Sequence, residues 1–134
     1  MKPKIKALAL SLAVFSLLAA LLFPLFSQLV WEPFTQARLD ALNQSDQPVL
    51  VAIHADWCST CRTQELVLRE LLSQPEFKRI KLLRMDFDRQ RELVQALGVQ
   101  YQSTLIAYKH GREVGRMTAE MSQARIADLL RLSL

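Results

Sequence analysis

Residues 48–61 read Pro-Val-Leu-Val-Ala-Ile-His-Ala-Asp-Trp-Cys-Ser-Thr-Cys, an apolar segment that runs into two cysteines. The run 49–53 is rich in β-branched residues, which predicts a buried strand. Residues 62–72 show helical spacing of apolar positions, so Cys58 lies at or just before a helix N-terminus. The unpaired N–H groups and the dipole at such a helix end favour a thiolate. Cys61, one turn later, is close enough to form a small disulfide ring with Cys58.

The bulk composition narrows the class of protein. The chain has 134 residues, which suits one domain with an appendage, and its only two cysteines lie in this segment. That number excludes a scaffold held by several disulfides and leaves a redox pair or half of a metal site. Lys2, Lys4 and Lys6 account for three of the 17 basic residues, so the other 14 nearly balance the 13 acidic ones. No basic stripe with interleaved aromatic residues is present, so nucleic acid is not a predicted partner.

The N-terminal segment, residues 1–32, is predicted to be a signal anchor that crosses the membrane once. Its three lysines precede an uncharged stretch from 7 to 31 that is longer than the roughly 20 apolar residues needed to span a bilayer. The lysines are expected to stay in the cytoplasm. A cleaved signal peptide is the alternative, but no clear small-residue cleavage site closes the apolar run. Either interpretation places the domain 33–134 outside the cytoplasm, as a periplasmic domain tethered to the inner or plasma membrane.

Beyond this segment the pattern predicts alternating helices and strands. Helices are expected at 36–43, 62–72, 89–97 and after Ser122, and strands at 49–53, 80–85, 104–108 and 113–117. Strand–helix–strand units imply parallel pairs, and the closing hairpin adds antiparallel strands. The predicted fold class is therefore α/β, a mixed central sheet with helices on both faces.

Four short segments in this order resemble the thioredoxin family over residues 35–134. They are Ala55-Asp56-Trp57-Cys58-Ser59-Thr60-Cys61, Asp86-Phe87-Asp88, Leu97-Gly98-Val99, and Thr104-Leu105-Ile106 leading into Lys109-His110-Gly111. A bare Cys-x-x-Cys is a weak signal because zinc sites use it too. Trp-Cys-x-x-Cys between a strand and a helix is far more specific.

The resemblance implies a thioredoxin-like three-layer sandwich and a thiol–disulfide oxidoreductase that requires no cofactor. Cys58 would be the exposed nucleophile, and Cys61 would be the thiol that resolves the mixed disulfide. The residues implied in substrate docking or tuning are Trp57, Gln102, Ser103 and Thr104.

Three positions depart from the family's pattern. Ser103 occupies the place of a proline with a cis peptide bond, and a cis bond before a non-proline residue costs about 3–4 kcal/mol. We therefore expect a trans bond between Gln102 and Ser103, with an N–H and a hydroxyl added opposite Cys58. Ala52 stands where cytosolic members bury an acidic residue behind the second cysteine, which predicts slower resolution near neutral pH. Leu66 replaces a proline in the helix after the motif, a change we interpret as structural.

The leading hypothesis is a membrane-anchored, extracytoplasmic thiol–disulfide oxidoreductase. It would reduce disulfides of protein substrates and would be re-reduced by a membrane electron donor, because cytosolic reductants cannot reach it. The alternative is a copper-handling module in which Cys58 and Cys61 supply soft ligands and His54 a third. His54 is, however, expected to be a packed residue near the strand end. A further possibility is an interaction domain whose cysteines form an inert disulfide.

Overall fold

The computed structural model describes residues 31–134, so the predicted membrane anchor lies outside the described residues. The elements in chain order are β1 (Glu32–Pro33), α1 (Gln36–Gln44), β2 (Val49–His54), α2 (Ser59–Ser73), a 3₁₀ turn (Pro75–Phe77), β3 (Lys81–Asp86), α3 (Arg91–Ala96), β4 (Thr104–Lys109), β5 (Arg112–Thr118) and α4 (Gln123–Leu132). Within this range, none of the helices has the length and apolar character needed to cross a bilayer.

The five strands form one mixed sheet in the order β1-β3-β2-β4-β5. Strand β3 pairs in parallel with both β1 and β2, whereas β4 runs antiparallel to β2 and to β5. The parallel β2–β3 pair is joined through α2, and the antiparallel β4–β5 pair is joined by a tight hairpin. The predicted α/β class and mixed sheet are confirmed.

Strand β2 lies at the centre of the sheet because its side chains are apolar on both faces. Val49, Leu50 and Val51 are completely buried. The odd-numbered positions belong to a cluster built with residues of α1 and α3: Phe34, Leu39, Leu42, Val49, Val51, Ile53, Leu83, Met85, Val94, Val99, Ile106 and Tyr108. Alternation along the strand turns Leu50 and Ala52 toward the opposite face. The motif at the end of β2 therefore follows directly on a strand that is buried on both faces of the sheet.

The observed bounds of the predicted helices and strands agree with the predicted ones to within about three residues. Three differences bear on the site or on the sheet. Helix α2 begins at Ser59 rather than at Arg62, so it includes Cys61 in its first turn. Strand β1 was not predicted, because two residues that include a proline carry no strand pattern; its pairing with β3 is a tertiary contact. Ser122 precedes α4, but its side chain makes no capping bond. Its own N–H group instead donates to the Glu120 carboxylate at 2.8 Å.

Candidate active site

The two cysteines lie where β2 gives way to α2. Cys58 is the N-cap residue of α2, and its sulfur accepts a hydrogen bond from the Cys61 N–H group at 3.0 Å. The two residues form a disulfide, with their Cα atoms 5.3 Å apart. The sulfur of Cys58 thus occupies the place of a capping oxygen, where an unpaired N–H group and the helix dipole stabilise negative charge. This arrangement confirms the predicted dithiol at a helix end.

Both sulfurs are buried in this disulfide form. Cys58 and Cys61 are each only 3% exposed and pack with Ala55, and the partly buried Phe87 packs against this cluster. The expectation that Cys58 is the exposed member of the pair is therefore wrong for the oxidised protein. Position, rather than exposure, distinguishes the two sulfurs, because only the Cys58 sulfur caps the helix.

Trp57 lies beside the motif with 61% of its surface exposed. Its indole N–H donates to Asp88 Oδ2 at 2.8 Å, which ties the ring to the loop after β3. A large, exposed ring with its one polar group already bonded presents an apolar face to a partner. Trp57 therefore suits the docking role that the resemblance implied and does not serve as a core residue.

Ser103 lies opposite the cysteines, buried to 3% exposure. The described residues contain no cis peptide bond, so the bond from Gln102 to Ser103 is trans, as expected. Ser103 adopts a φ of 59°, in the left-handed region that non-glycine residues rarely enter. Its N–H group donates to the Ile53 carbonyl at 2.9 Å. The N–H group that was expected opposite Cys58 is therefore already bonded within the protein.

The side chain of Ser103 contacts both sulfurs. Its Oγ lies 3.2 Å from Cys58 Sγ and 3.5 Å from Cys61 Sγ. Neither sulfur carries a proton in a disulfide, so the hydroxyl is the only available donor in these contacts. The hydroxyl group predicted to face Cys58 thus faces the whole pair.

The neighbours of Ser103 have separate roles. Gln102 is half-buried. Thr104 is buried, and its hydroxyl is hydrogen-bonded to other groups of the protein. Thr104 Oγ1 donates to the Tyr101 carbonyl at 2.8 Å and lies 2.9 Å from Thr118 Oγ1. Thr104 therefore fixes the loop before β4, whereas the exposed Tyr101 extends the surface around the motif.

Gln64 is a site residue that sequence reasoning missed. It lies on α2 one turn after Cys61 and is 3% exposed. Its Nε2 donates to the carbonyls of Ser103 at 3.0 Å and of Glu120 at 2.9 Å. The burial of Gln64 could have been predicted, because a residue three positions after Cys61 lies on the same, buried side of the amphipathic helix. Its hydrogen-bond partners could not be predicted from the sequence, since Ser103 and Glu120 lie 39 and 56 residues further along the chain.

Comparison with known proteins identifies this arrangement. The thioredoxin family model matches residues 31–131. A thioredoxin from Alicyclobacillus acidocaldarius is 32% identical over 100 residues, covering 72% of this chain and 94% of that protein. The crystal structure of Trxlp from Edwardsiella tarda has a TM-score of 0.72 and 38% identity, covering 75% of this chain and 98% of Trxlp. A mutant thioredoxin from Halobacterium salinarum has a TM-score of 0.67 and 25% identity, covering 77% and 88%.

The chain belongs to the thioredoxin family. With the Cys58–Cys61 pair at the family's position, it is a thiol–disulfide oxidoreductase. Trp57 precedes this pair in the chain, Ser103 contacts both of its sulfurs, and Gln64 is bonded to Ser103.

This thioredoxin-family protein has a charge cluster near the position of the missing buried acid. Ala52, 6% exposed, pairs across the sheet with Arg84 of β3. The Arg84 guanidinium lies 3.6 Å from Asp56 and 3.9 Å from Glu65. Because both carboxylates face a cation, and Asp56 is largely exposed, neither is an evident substitute for an acid behind Cys61.

His54 belongs to this charge cluster rather than to the disulfide. Its Nε2 lies 3.6 Å from Asp56 Oδ1, and its side chain is mostly buried. Among residues 31–134 there is no group of three or more His, Cys, Asp or Glu side chains placed to hold a metal ion. The expected packed role of His54 fits these contacts, and nothing in the described region favours the copper-handling alternative.

His54 is expected to make the fold sensitive to mild acid. Burial lowers the pKa of His54 below 6.5 and Arg84 lowers it further, against the opposing effects of Glu65, Asp56 and Asp86. The unfolded chain therefore binds more protons between that lowered pKa and about 6.5, so the free energy of unfolding falls as pH drops through this window. In His54→Gln we expect a shallower fall, measured by urea unfolding at a series of pH values. An unchanged slope would contradict this assignment.

Proposed function

We propose that this protein is a membrane-tethered, extracytoplasmic thiol–disulfide oxidoreductase that reduces disulfides of protein substrates through Cys58 and Cys61. The observation that carries the proposal is the Cys58 sulfur at the start of α2, bonded to the Cys61 N–H group at 3.0 Å. A thiolate formed there is stabilised, and the thiolate is the form that attacks a disulfide. Cys61, joined to Cys58 in the oxidised state, then releases the substrate.

The surface around the motif supports a protein substrate rather than a small thiol. Trp57 is 61% exposed and Tyr101, two residues before Ser103, is 63% exposed, whereas Cys58 and Cys61 are buried. Exposed aromatic side chains of this size are common anchors in protein interfaces. A partner that covers these rings could bring its disulfide to Cys58 and exclude water from the exchange.

Reduction is the proposed direction because the relatives are thioredoxins and because an extracytoplasmic compartment is oxidising. The tether and the location are supported by the sequence 1–32, with its lysines followed by an uncharged apolar stretch. A domain held outside the cytoplasm needs a membrane electron donor to regenerate its dithiol.

The reduction potential of the purified full-length chain tests the direction. We expect a value near the thioredoxin level of about −270 mV, measured by equilibration with a thiol buffer of known potential. A value near about −120 mV, which is typical of a strong oxidant, would contradict a reducing role.

A labelling experiment on intact cells tests the location. After mild reduction, a thiol reagent that cannot cross the membrane is expected to modify the full-length chain at Cys58. The double variant Cys58→Ser/Cys61→Ser is the matched control and should stay unlabelled. Labelling only after cell lysis would place the dithiol in the cytoplasm and refute the extracytoplasmic assignment.

A further inference from the structure

We propose that the Ser103 hydroxyl carries the proton that Cys61 must lose when it resolves a mixed disulfide, and that the Gln64 amide holds Ser103 in place for this step. The proposal rests on the proposed reduction of disulfides by Cys58 and Cys61. It gives Ser103 a catalytic role and Gln64 a positioning role.

The position of the hydroxyl suits proton transfer. Ser103 Oγ lies 3.2 Å from Cys58 Sγ and 3.5 Å from Cys61 Sγ, so one hydroxyl contacts both the attacking sulfur and the sulfur that carries the leaving group. A hydroxyl can accept a proton while it donates its own, and it therefore need not become charged. Since Ser103 is only 3% exposed, bulk water has little access to the same position.

The site otherwise lacks a proton acceptor for Cys61. Ala52 occupies the position behind the motif where the family resemblance would place a buried acid, and it cannot exchange a proton. Across residues 31–134, no carboxylate is hydrogen-bonded to either sulfur, and Asp56 and Glu65 are engaged with Arg84. The group that does contact the sulfurs is the Ser103 hydroxyl.

Three hydrogen bonds hold the Ser103 backbone in its left-handed conformation. Its N–H group donates to the Ile53 carbonyl at 2.9 Å, and its carbonyl accepts from the Ala119 N–H group at 3.0 Å. The same carbonyl accepts from Gln64 Nε2 at 3.0 Å. Because Gln64 lies on the helix that carries Cys61, it couples the position of Ser103 directly to that of the resolving thiol.

The burial of Gln64 is itself evidence of a role. An amide in an apolar interior is costly unless its polar atoms are bonded, and both protons of Nε2 are used here. The second proton reaches the Glu120 carbonyl at 2.9 Å, so the side chain joins α2 to two separate loops. An apolar residue would fill the space but would leave Ser103 less firmly held.

The step balances without an external base. In the mixed disulfide, Cys58 Sγ is bonded to a substrate sulfur and Cys61 carries a thiol proton. Cys61 Sγ attacks Cys58 Sγ, and the bond to the substrate sulfur breaks with its electron pair on that sulfur. The Cys61 proton moves to Ser103 Oγ while the hydroxyl proton of Ser103 moves to the departing sulfur. In this step the Cys61 sulfur is oxidised, the departing sulfur is reduced, and the substrate leaves as a neutral thiol. Over this step and the preceding attack by Cys58 together, the dithiol loses two electrons to the substrate disulfide and becomes the Cys58–Cys61 disulfide.

The test compares two leaving groups in the resolving step. The reduced full-length chain is mixed with an activated disulfide that places either glutathione or thionitrobenzoate on Cys58, and release by Cys61 is followed by rapid acid quench and mass spectrometry. Glutathione leaves as a basic thiolate that benefits from a proton, whereas thionitrobenzoate is weakly basic and leaves without one. Thionitrobenzoate gives the relay no proton acceptor, so with this group Cys61 must lose its proton to solvent whether or not the Ser103 hydroxyl is present. The hydroxyl should therefore matter for release of glutathione and hardly for release of thionitrobenzoate.

In Ser103→Gly we expect release of glutathione to slow by about tenfold or more, with release of thionitrobenzoate changed less than about threefold. Glycine accepts the positive φ, so the backbone is retained while the hydroxyl is lost. Ser103→Ala, which also lacks the hydroxyl, should show the same dependence on the leaving group. Equal slowing of both releases, or no slowing, would overturn the role of Ser103 as proton carrier.

Gln64→Met tests the positioning role, since it keeps the volume and removes both donors. We expect a smaller loss with the same leaving-group dependence, and a pH profile for glutathione release that shifts toward that of Ser103→Gly. Leu66→Ala, on the exposed side of the same helix, is the control and should match the wild type. A Gln64→Met protein that slows both releases equally would indicate a structural role only.

The outcomes separate this proposal from the one on which it rests. Loading of Cys58 by either reagent shows that the dithiol is competent, whatever the later step does. If the wild-type chain cannot be loaded at all, the proposed exchange function fails. If loading succeeds and leaving-group dependence is absent, only the proton relay fails.

Discussion

Replacement of Cys58 by serine is expected to reduce disulfide reductase activity to background, whereas replacement of Cys61 should stop the reaction after its first step. The Cys58 sulfur caps α2 and accepts the Cys61 N–H bond, so it is the sulfur whose thiolate is stabilised. Without Cys61 the mixed disulfide has no internal thiol to resolve it. Insulin reduction measures the first effect, and non-reducing mass spectrometry of the trapped adduct measures the second.

The two variants also test an assignment that exposure cannot make, because both cysteines are 3% exposed in the oxidised protein. The control is the double variant, which should form no adduct and should retain the fold. If Cys58→Ser accumulated the adduct and Cys61→Ser did not, the roles of nucleophile and resolving thiol would be reversed.

Replacement of Ser103 by proline, the residue that the family carries there, is expected to destabilise this protein by at least about 2 kcal/mol. Proline fixes φ near −65°, whereas Ser103 has a φ of 59°. Proline also removes the N–H group that donates to Ile53, and a buried carbonyl left without a partner costs about 1–3 kcal/mol. Urea unfolding of the oxidised protein measures the change in the free energy of unfolding.

The matched control is Ser103→Gly, which removes the same side chain but tolerates the backbone conformation. Its free energy of unfolding should stay within about 1 kcal/mol of the wild type. If the proline variant were as stable as the glycine variant, the loop before β4 would be able to change its backbone at little cost. The three hydrogen bonds to the Ser103 backbone would then not be what holds it in the left-handed conformation.

Much of the fold could be predicted because its signals are local. The β-branched run of β2 and the helical spacing after the cysteines each depend on neighbours in sequence. Strand β1 was missed for the complementary reason: it is a strand only because β3 is beside it.

The site was predictable to a similar extent. Cys58, Cys61 and Trp57 follow one another in the chain, so their chemistry could be inferred from the motif. The hydrogen bond from Trp57 to Asp88 joins residues 31 positions apart, and that from Gln64 to the Ser103 carbonyl joins residues 39 positions apart. Neither pairing can be predicted from the residues next to it in the sequence. The burial of Cys58 could not be predicted from the motif, because one of the residues that packs against it is Phe87, which follows β3.

By itself, the amino-acid sequence determined the dithiol, its place at a helix N-terminus and the α/β order of the elements, because each depends on residues within one or two turns of one another. Only the tertiary structure decided what surrounds the dithiol. Ser103 is 45 residues from Cys58, yet its hydroxyl lies 3.2 Å from the sulfur. That contact exists because β4 pairs with β2 and brings the loop before it to the end of β2, where residues 48–61 deliver the two cysteines.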